Sequence, residues 1–212
     1  TTDTSGNIYV TGATWGGLHG NTNVGSDDLF VVKYDSGGIK QWVQQLGTSS
    51  PELAYGITTD TSGNIYVTGA TWGGLDGNTN VGSDDLFVVK YDSEGIKQWV
   101  QQLGSSSYDY AQGIATDTSG NVYVTGVTRG GLGGNTNVGF DDLFVVKYDS
   151  EGIKQWVQQL GSSSPDRAYG IATDTGGNVY VTGSTSGGLD GNTNAGSDDI
   201  FVVKYDSSGV KQ

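Results

Sequence analysis

Apolar and polar residues alternate along this chain in short runs, and the runs are cut by turn-forming residues. In Asp85-Leu-Phe-Val-Val-Lys-Tyr91, Leu86 and Val88 point one way and Phe87 and Val89 the other. Both faces are apolar, so the pattern predicts a strand in a sheet covered on both sides. Three more runs around it read as strands: Ala54 to Asp60, Ile65 to Thr71 and Ile96 to Leu103. β-branched and aromatic residues fill them. Thr61-Ser-Gly-Asn64 and Asp92-Ser-Glu-Gly95 read as hairpin turns, with glycine and asparagine able to take positive φ. A glycine- and asparagine-rich loop runs from Trp72 to Asp84. No stretch has a helical period.

This set of elements repeats. A segment Asp-Thr-Ser/Gly-Gly-Asn-Ile/Val-Tyr-Val-Thr-Gly begins at Asp3, Asp60, Asp117 and Asp174, each start 57 residues after the last. The first two units differ at only eight of 57 positions, which points to recent duplication. Residues 1–212 therefore read as one domain of about 3.7 repeats, bounded 3–59, 60–116, 117–173 and 174–212. Four strands per unit in tandem predict an all-β fold, a β-propeller of four-stranded antiparallel blades. The strands are named a to d from the propeller axis outward.

The run Asp-Thr-Ser-Gly-Asn-Ile-Tyr-Val-Thr-Gly, then Gly-Ser-Asp-Asp-Leu-Phe-Val-Val-Lys-Tyr-Asp-Ser-x-Gly, then Trp-Val-Gln-Gln-Leu-Gly resembles the bacterial SBBP repeats. The resemblance covers essentially the whole chain. It implies propeller architecture of the kind found in large secreted or surface-exposed bacterial proteins, hence an extracellular or cell-surface location. Thr1 aligns with Thr58, near the end of strand a, and Gln212 aligns with Gln155, just before Trp156. These deficits do not complement each other, and a ring closed by this chain alone would leave unpaired strand edges. The expectation is an excerpt of a longer array, whose partners are further repeats or another copy of the chain.

Composition narrows the partners. The 23 acidic against 10 basic residues give a net charge of −13, which repels phosphate backbones and anionic lipid. Nucleic acid and membrane insertion are not expected, and no apolar run is long enough to span a bilayer. The chain has no cysteine, which excludes disulfides, thiolate metal sites and thiol catalysis. It has no methionine and no signal-peptide pattern at Thr1, in keeping with an excerpt.

The b–c loop carries the sharpest chemical signal. Asp76, Asn78, Asn80 and Asp84 stand at positions one, three, five and nine, and Asp190, Asn192, Asn194 and Asp198 repeat the pattern. Alternating oxygen side chains in a tight loop can surround calcium, as in an EF-hand. The spacing also resembles the calcium loops of integrin α-subunit propellers. The glycine falls at position seven rather than six, and no bidentate glutamate follows. His19 and Gly133 occupy position one in the other copies. A metal-free loop, with asparagine side chains bonding the backbone, stands beside the calcium reading.

Differences between copies give the other lead. Trp15 and Trp72 become Arg129 and Ser186, and Ser83 becomes Phe140. Pro51-Glu-Leu-Ala-Tyr55 becomes Tyr108-Asp-Tyr-Ala-Gln112, bringing in Tyr108 and Tyr110, and then Pro165-Asp-Arg-Ala-Tyr169. All of these fall on the face formed by the b–c and d–a connections, where a rigid scaffold would present binding residues. Catalytic constellations are poor, since the only histidine is His19 and each recurring aspartate has a turn or strand-start explanation. The leading expectation is a non-catalytic scaffold or adhesion module, with calcium as its candidate cofactor and a protein or glycan as its ligand. A lectin-like domain using Trp15 and Trp72 is the alternative. A propeller hydrolase or lyase is least supported.

Overall fold

The computed structural model describes residues 1–212 as fourteen strands in four antiparallel sheets. The first sheet holds β1 (Ile8–Thr14), β2 (Asp28–Tyr34) and β3 (Lys40–Leu46). The second holds β4 (Glu52–Thr59), β5 (Ile65–Thr71), β6 (Asp85–Tyr91) and β7 (Lys97–Leu103). The third repeats it with β8 (Asp109–Thr116), β9 (Val122–Thr128), β10 (Asp142–Tyr148) and β11 (Lys154–Leu160). The fourth holds β12 (Asp166–Thr173), β13 (Val179–Thr185) and β14 (Asp199–Tyr205). Strand order follows the chain within every sheet, as the four-stranded blade requires. Strands b and c of the second repeat have the bounds expected from sequence. Strand a begins earlier, at Glu52, and strand d one residue later, at Lys97.

Three apolar clusters lie between successive sheets. Phe87 and Val89 pack with Leu29 and Val31 of the first sheet, while Leu86 and Val88 pack with Phe144 and Val146 of the third. The period-two alternation thus buries one strand against two neighbours. The outer faces of the terminal sheets lack such a neighbour. Ile200 and Val202, which correspond to Leu86 and Val88, are 89% and 70% exposed.

Along the axis the inner strands are tied by threonines. Thr116 Oγ1 donates to the Thr59 carbonyl at 3.0 Å, and Thr173 Oγ1 to the Thr116 carbonyl at 2.9 Å. Each full inner strand carries a β-bulge, with Gln112 the extra residue in β8. Glycine is required opposite it, because a Cβ on Gly126 would lie 1.8 Å from the Tyr110 carbonyl oxygen.

Candidate ligand-binding site between the blades

The d–a and b–c connections meet at each seam between blades. Between blades two and three, Asp84 forms a parallel bridge with Tyr108, and the Asp109 amide donates to the Asp84 carbonyl at 3.1 Å. Between blades three and four, the Asp166 amide donates to the Asp141 carbonyl at 2.7 Å. This register brings the end of strand b, the b–c loop and the next blade's inner strand to one place.

Five of the six ligand-face candidates gather there. The Trp72 and Tyr110 rings meet edge to face at 6.2 Å, and Tyr110 stacks on Tyr108 at 6.1 Å. The Arg129 guanidinium lies 5.1 Å from the Tyr108 ring centre and 4.7 Å from that of Phe140, so it sits between two aromatic faces. The Arg129 amide donates to the Tyr108 carbonyl at 2.9 Å, which fixes the end of strand b beside the start of the inner strand. Trp15 stands apart, in the first blade, and is 83% exposed.

Sequence reasoning did not single out Arg167. Its Nε donates to Asp141 Oδ2 at 2.7 Å, and Arg129 Nε donates to Asp141 Oδ1 at 2.7 Å. Both arginines of the chain therefore hold one buried carboxylate. Their rarity was the available signal. Arg129, Arg167, Tyr108, Tyr110, Gln112 and Asp141 line a notch of about 160 Å³.

The preceding seam has a different electrostatic state. Trp72 and Tyr110 stand where Arg129 and Arg167 stand in the next repeat, so Asp84 lacks the arginine clamp of Asp141. Asp84 is fully buried, and neither carboxylate oxygen has a well-formed hydrogen bond, although the Tyr110 hydroxyl lies beside it. Burial pushes its pKa up to about 6. The negative charges of Asp109 and Asp85 add to the rise, while Tyr110 and Arg129 oppose it.

The calcium-loop candidates each have a separate environment. Asp76, in the left-handed region at φ 55°, pairs with Lys97. Asn78 donates through Nδ2 to the Leu75 carbonyl at 2.8 Å, and Asn80 Oδ1 accepts from Gln102 at 3.4 Å. Asp84 is buried in the seam. In the fourth repeat Asp190 pairs with Lys211, and Asn192 donates to the Leu189 carbonyl at 3.0 Å. Asn194 Oδ1 accepts from the Gly196 amide at 2.8 Å, and Asp198 accepts from the Ser186 hydroxyl at 2.5 Å. Lysine thus supplies a positive charge at position one of both loops. No three acidic or histidine side chains stand together in an arrangement suited to a metal ion.

A second cavity, of about 400 Å³, lies at the axis on the hairpin face. Its lining repeats Thr-Asp-Thr from four repeats, with Asp3, Asp60, Asp117 and Asp174 contributing the carboxylates. These aspartates serve their own hairpins. Asp117 Oδ1 accepts from the Ser119 and Asn121 amides at 2.9 and 3.0 Å. Its Oδ2 accepts from the Asn121 side chain at 2.7 Å and the Tyr123 hydroxyl at 2.9 Å. Hydrogen bonds from Asn178 hold Asp174 below the usual carboxylate range. Carboxylates whose oxygens are committed to donors of their own hairpin are poorly placed to act on a ligand.

The SBBP beta-propeller repeat model matches residues 41–76, 98–133 and 155–190, about half of the chain. Among curated proteins, an uncharacterized WD repeat-containing protein of Acanthamoeba polyphaga mimivirus is 25% identical over 185 residues, covering 69% of this chain. The regulatory protein FlaEY of Caulobacter vibrioides is 25% identical over 171 residues, covering 73% of this chain. The chain spans only 13% and 18% of the lengths of these two relatives. Among solved structures, a luciferin-regenerating enzyme aligns with 99% of this chain and 57% of its own, at 14% identity and a TM-score of 0.44.

Proposed function

This chain belongs to the SBBP beta-propeller repeat family, and we propose that it is a non-catalytic, extracellular or cell-surface propeller module whose loop face holds a ligand for adhesion. One observation carries the reading. Positions that differ between otherwise near-identical repeats converge in space, with Trp72, Tyr108, Tyr110, Arg129 and Phe140 forming one partly exposed cluster. The scaffold beneath is constant, so the chemistry of this face changes without changing the fold. The location outside the cell rests on the family resemblance. The exposed apolar faces of the terminal sheets are proposed to take further blades of the same repeat, because the equivalent faces of the inner blades are buried by such blades.

A lectin-like role is the second reading. Exposed rings at Tyr108 and Phe140 and the isolated Trp15 favour it, since aromatic faces pack well on sugar rings. Glycan-array binding tests it, with intact protein compared against an Arg129→Ser/Phe140→Ser variant. Blade four carries Ser186 and Ser197 at these positions, so the fold already accommodates them. Loss of signal in the variant is expected. An unchanged array profile would count against the loop face.

A further inference from the structure

We propose that the notch between blades three and four binds a single carboxylate carried on an otherwise neutral sugar, an assignment that rests on the loop-face reading above. The first observation is the pairing pattern. Asp141 takes the Nε of Arg129, and it takes the Nε and Nη2 of Arg167. The two terminal amino groups of Arg129 make no hydrogen bond within the protein, and that side chain is 39% exposed. A guanidinium held on one edge by a buried carboxylate presents its remaining N–H groups in a fixed fork, which suits a second carboxylate.

The surroundings select among anions. Tyr108 and Phe140 flank the guanidinium, and Phe140, 56% exposed and stacked on no other ring, leaves a face against which a sugar ring can lie. Gln112, aimed by the strand bulge, adds an amide to the notch. A volume of about 160 Å³ admits one sugar-sized group rather than a whole oligosaccharide. The net charge of −13 disfavours a densely charged polyanion and tolerates one isolated charge. In the preceding seam Trp72 and Tyr110 take the positions of the two arginines, so that seam lacks these donors.

The test is calorimetric titration of the intact chain with a neutral oligosaccharide capped by one glucuronate, and with the methyl ester of the same compound. The acid should bind, and the ester should bind about ten- to a hundredfold more weakly. An Arg129→Ser/Arg167→Leu variant should lose the preference for acid. Ser186 and Leu53 occupy those positions in other repeats, and adding Asp141→Asn avoids leaving a buried carboxylate without a partner. Failure of the acid to bind, equal binding of acid and ester, or an unaltered preference in the variant would overturn the assignment. Equal binding of both compounds that is lost in the Arg129→Ser/Phe140→Ser variant would remove the carboxylate alone and leave the loop-face reading standing. The ester comparison uses the unaltered protein, so it decides the matter even if a variant fails to fold.

Discussion

The indole of Trp99 lies on the turn glycine Gly152 of the next blade, so close that a Cβ there would sit 2.9 Å from the ring. The same indole donates to the Ser150 carbonyl at 3.2 Å, and Lys90 donates to that carbonyl at 2.9 Å. Trp42 and Trp156 repeat the arrangement on Gly95 and Gly209. This contact locks the outer edge of each blade to its neighbour. Gly152→Ala should therefore cost about 2–4 kcal/mol, from positive φ and the clash with Trp99 together. Gly38 has a similar φ of 80° with open space around it, so Gly38→Ala should cost only about 1–2 kcal/mol. Urea unfolding of the two variants checks this, and equal losses would mean that the indole contact contributes nothing.

Asp84 makes stability depend on pH in a defined direction. Its folded pKa of about 6 exceeds the ordinary value of 3.8, so folding favours the protonated form. The contribution is fully present below about pH 4 and is lost as pH rises through about 6. Burial shifts Asp85 and Asp109 the same way. Asp84→Asn should stabilise the protein by about 1–2 kcal/mol at neutral pH and much less at pH 4. Melting curves across that range test the sign. A variant that is less stable at neutral pH would show that the ionised carboxylate is well satisfied.

Lys97 at Asp76 and Lys211 at Asp190 bear on the calcium reading. With those carboxylates already paired, millimolar calcium and chelator should give the same melting midpoint. A calcium-dependent rise that Asp76→Gly and Asp190→Gly abolish would place the metal in both loops.

Ile200 and Val202 should act as a sticky face. Replacing both with lysine should lower self-association in sedimentation and leave the melting midpoint nearly unchanged, because neither residue packs against another blade here. A large loss of stability would place them in the chain's own core.

Strands b and c were legible in the sequence to their last residues, because both faces of Asp85–Tyr91 are apolar and turns bracket the run. The sequence pattern starts strand a two residues late and ends it one residue late, against Glu52–Thr59 in the fold. Its first residue is Glu52, whose burial is supported by Thr48 and Thr71, and only the folded chain brings those hydroxyls to it. The variable residues of the loop face were found by comparing repeats. Their convergence follows from the Asp84–Tyr108 bridge, a register that no local pattern encodes. The same bridge buries Asp84, which loop spacing alone marks as a metal ligand. In the sequence Arg167 is one variable position among several, and its meaning appears only beside Arg129 and Asp141.

Ligand on this reading is held on the loop face and not at the axis. Amide chemical-shift mapping with the best glycan from the array tests this most directly. Shifts are expected at Tyr108, Tyr110, Arg129 and Phe140, with Thr59, Thr116 and Thr173 unmoved. Shifts centred on the axial threonines, with the loop face silent, would contradict it.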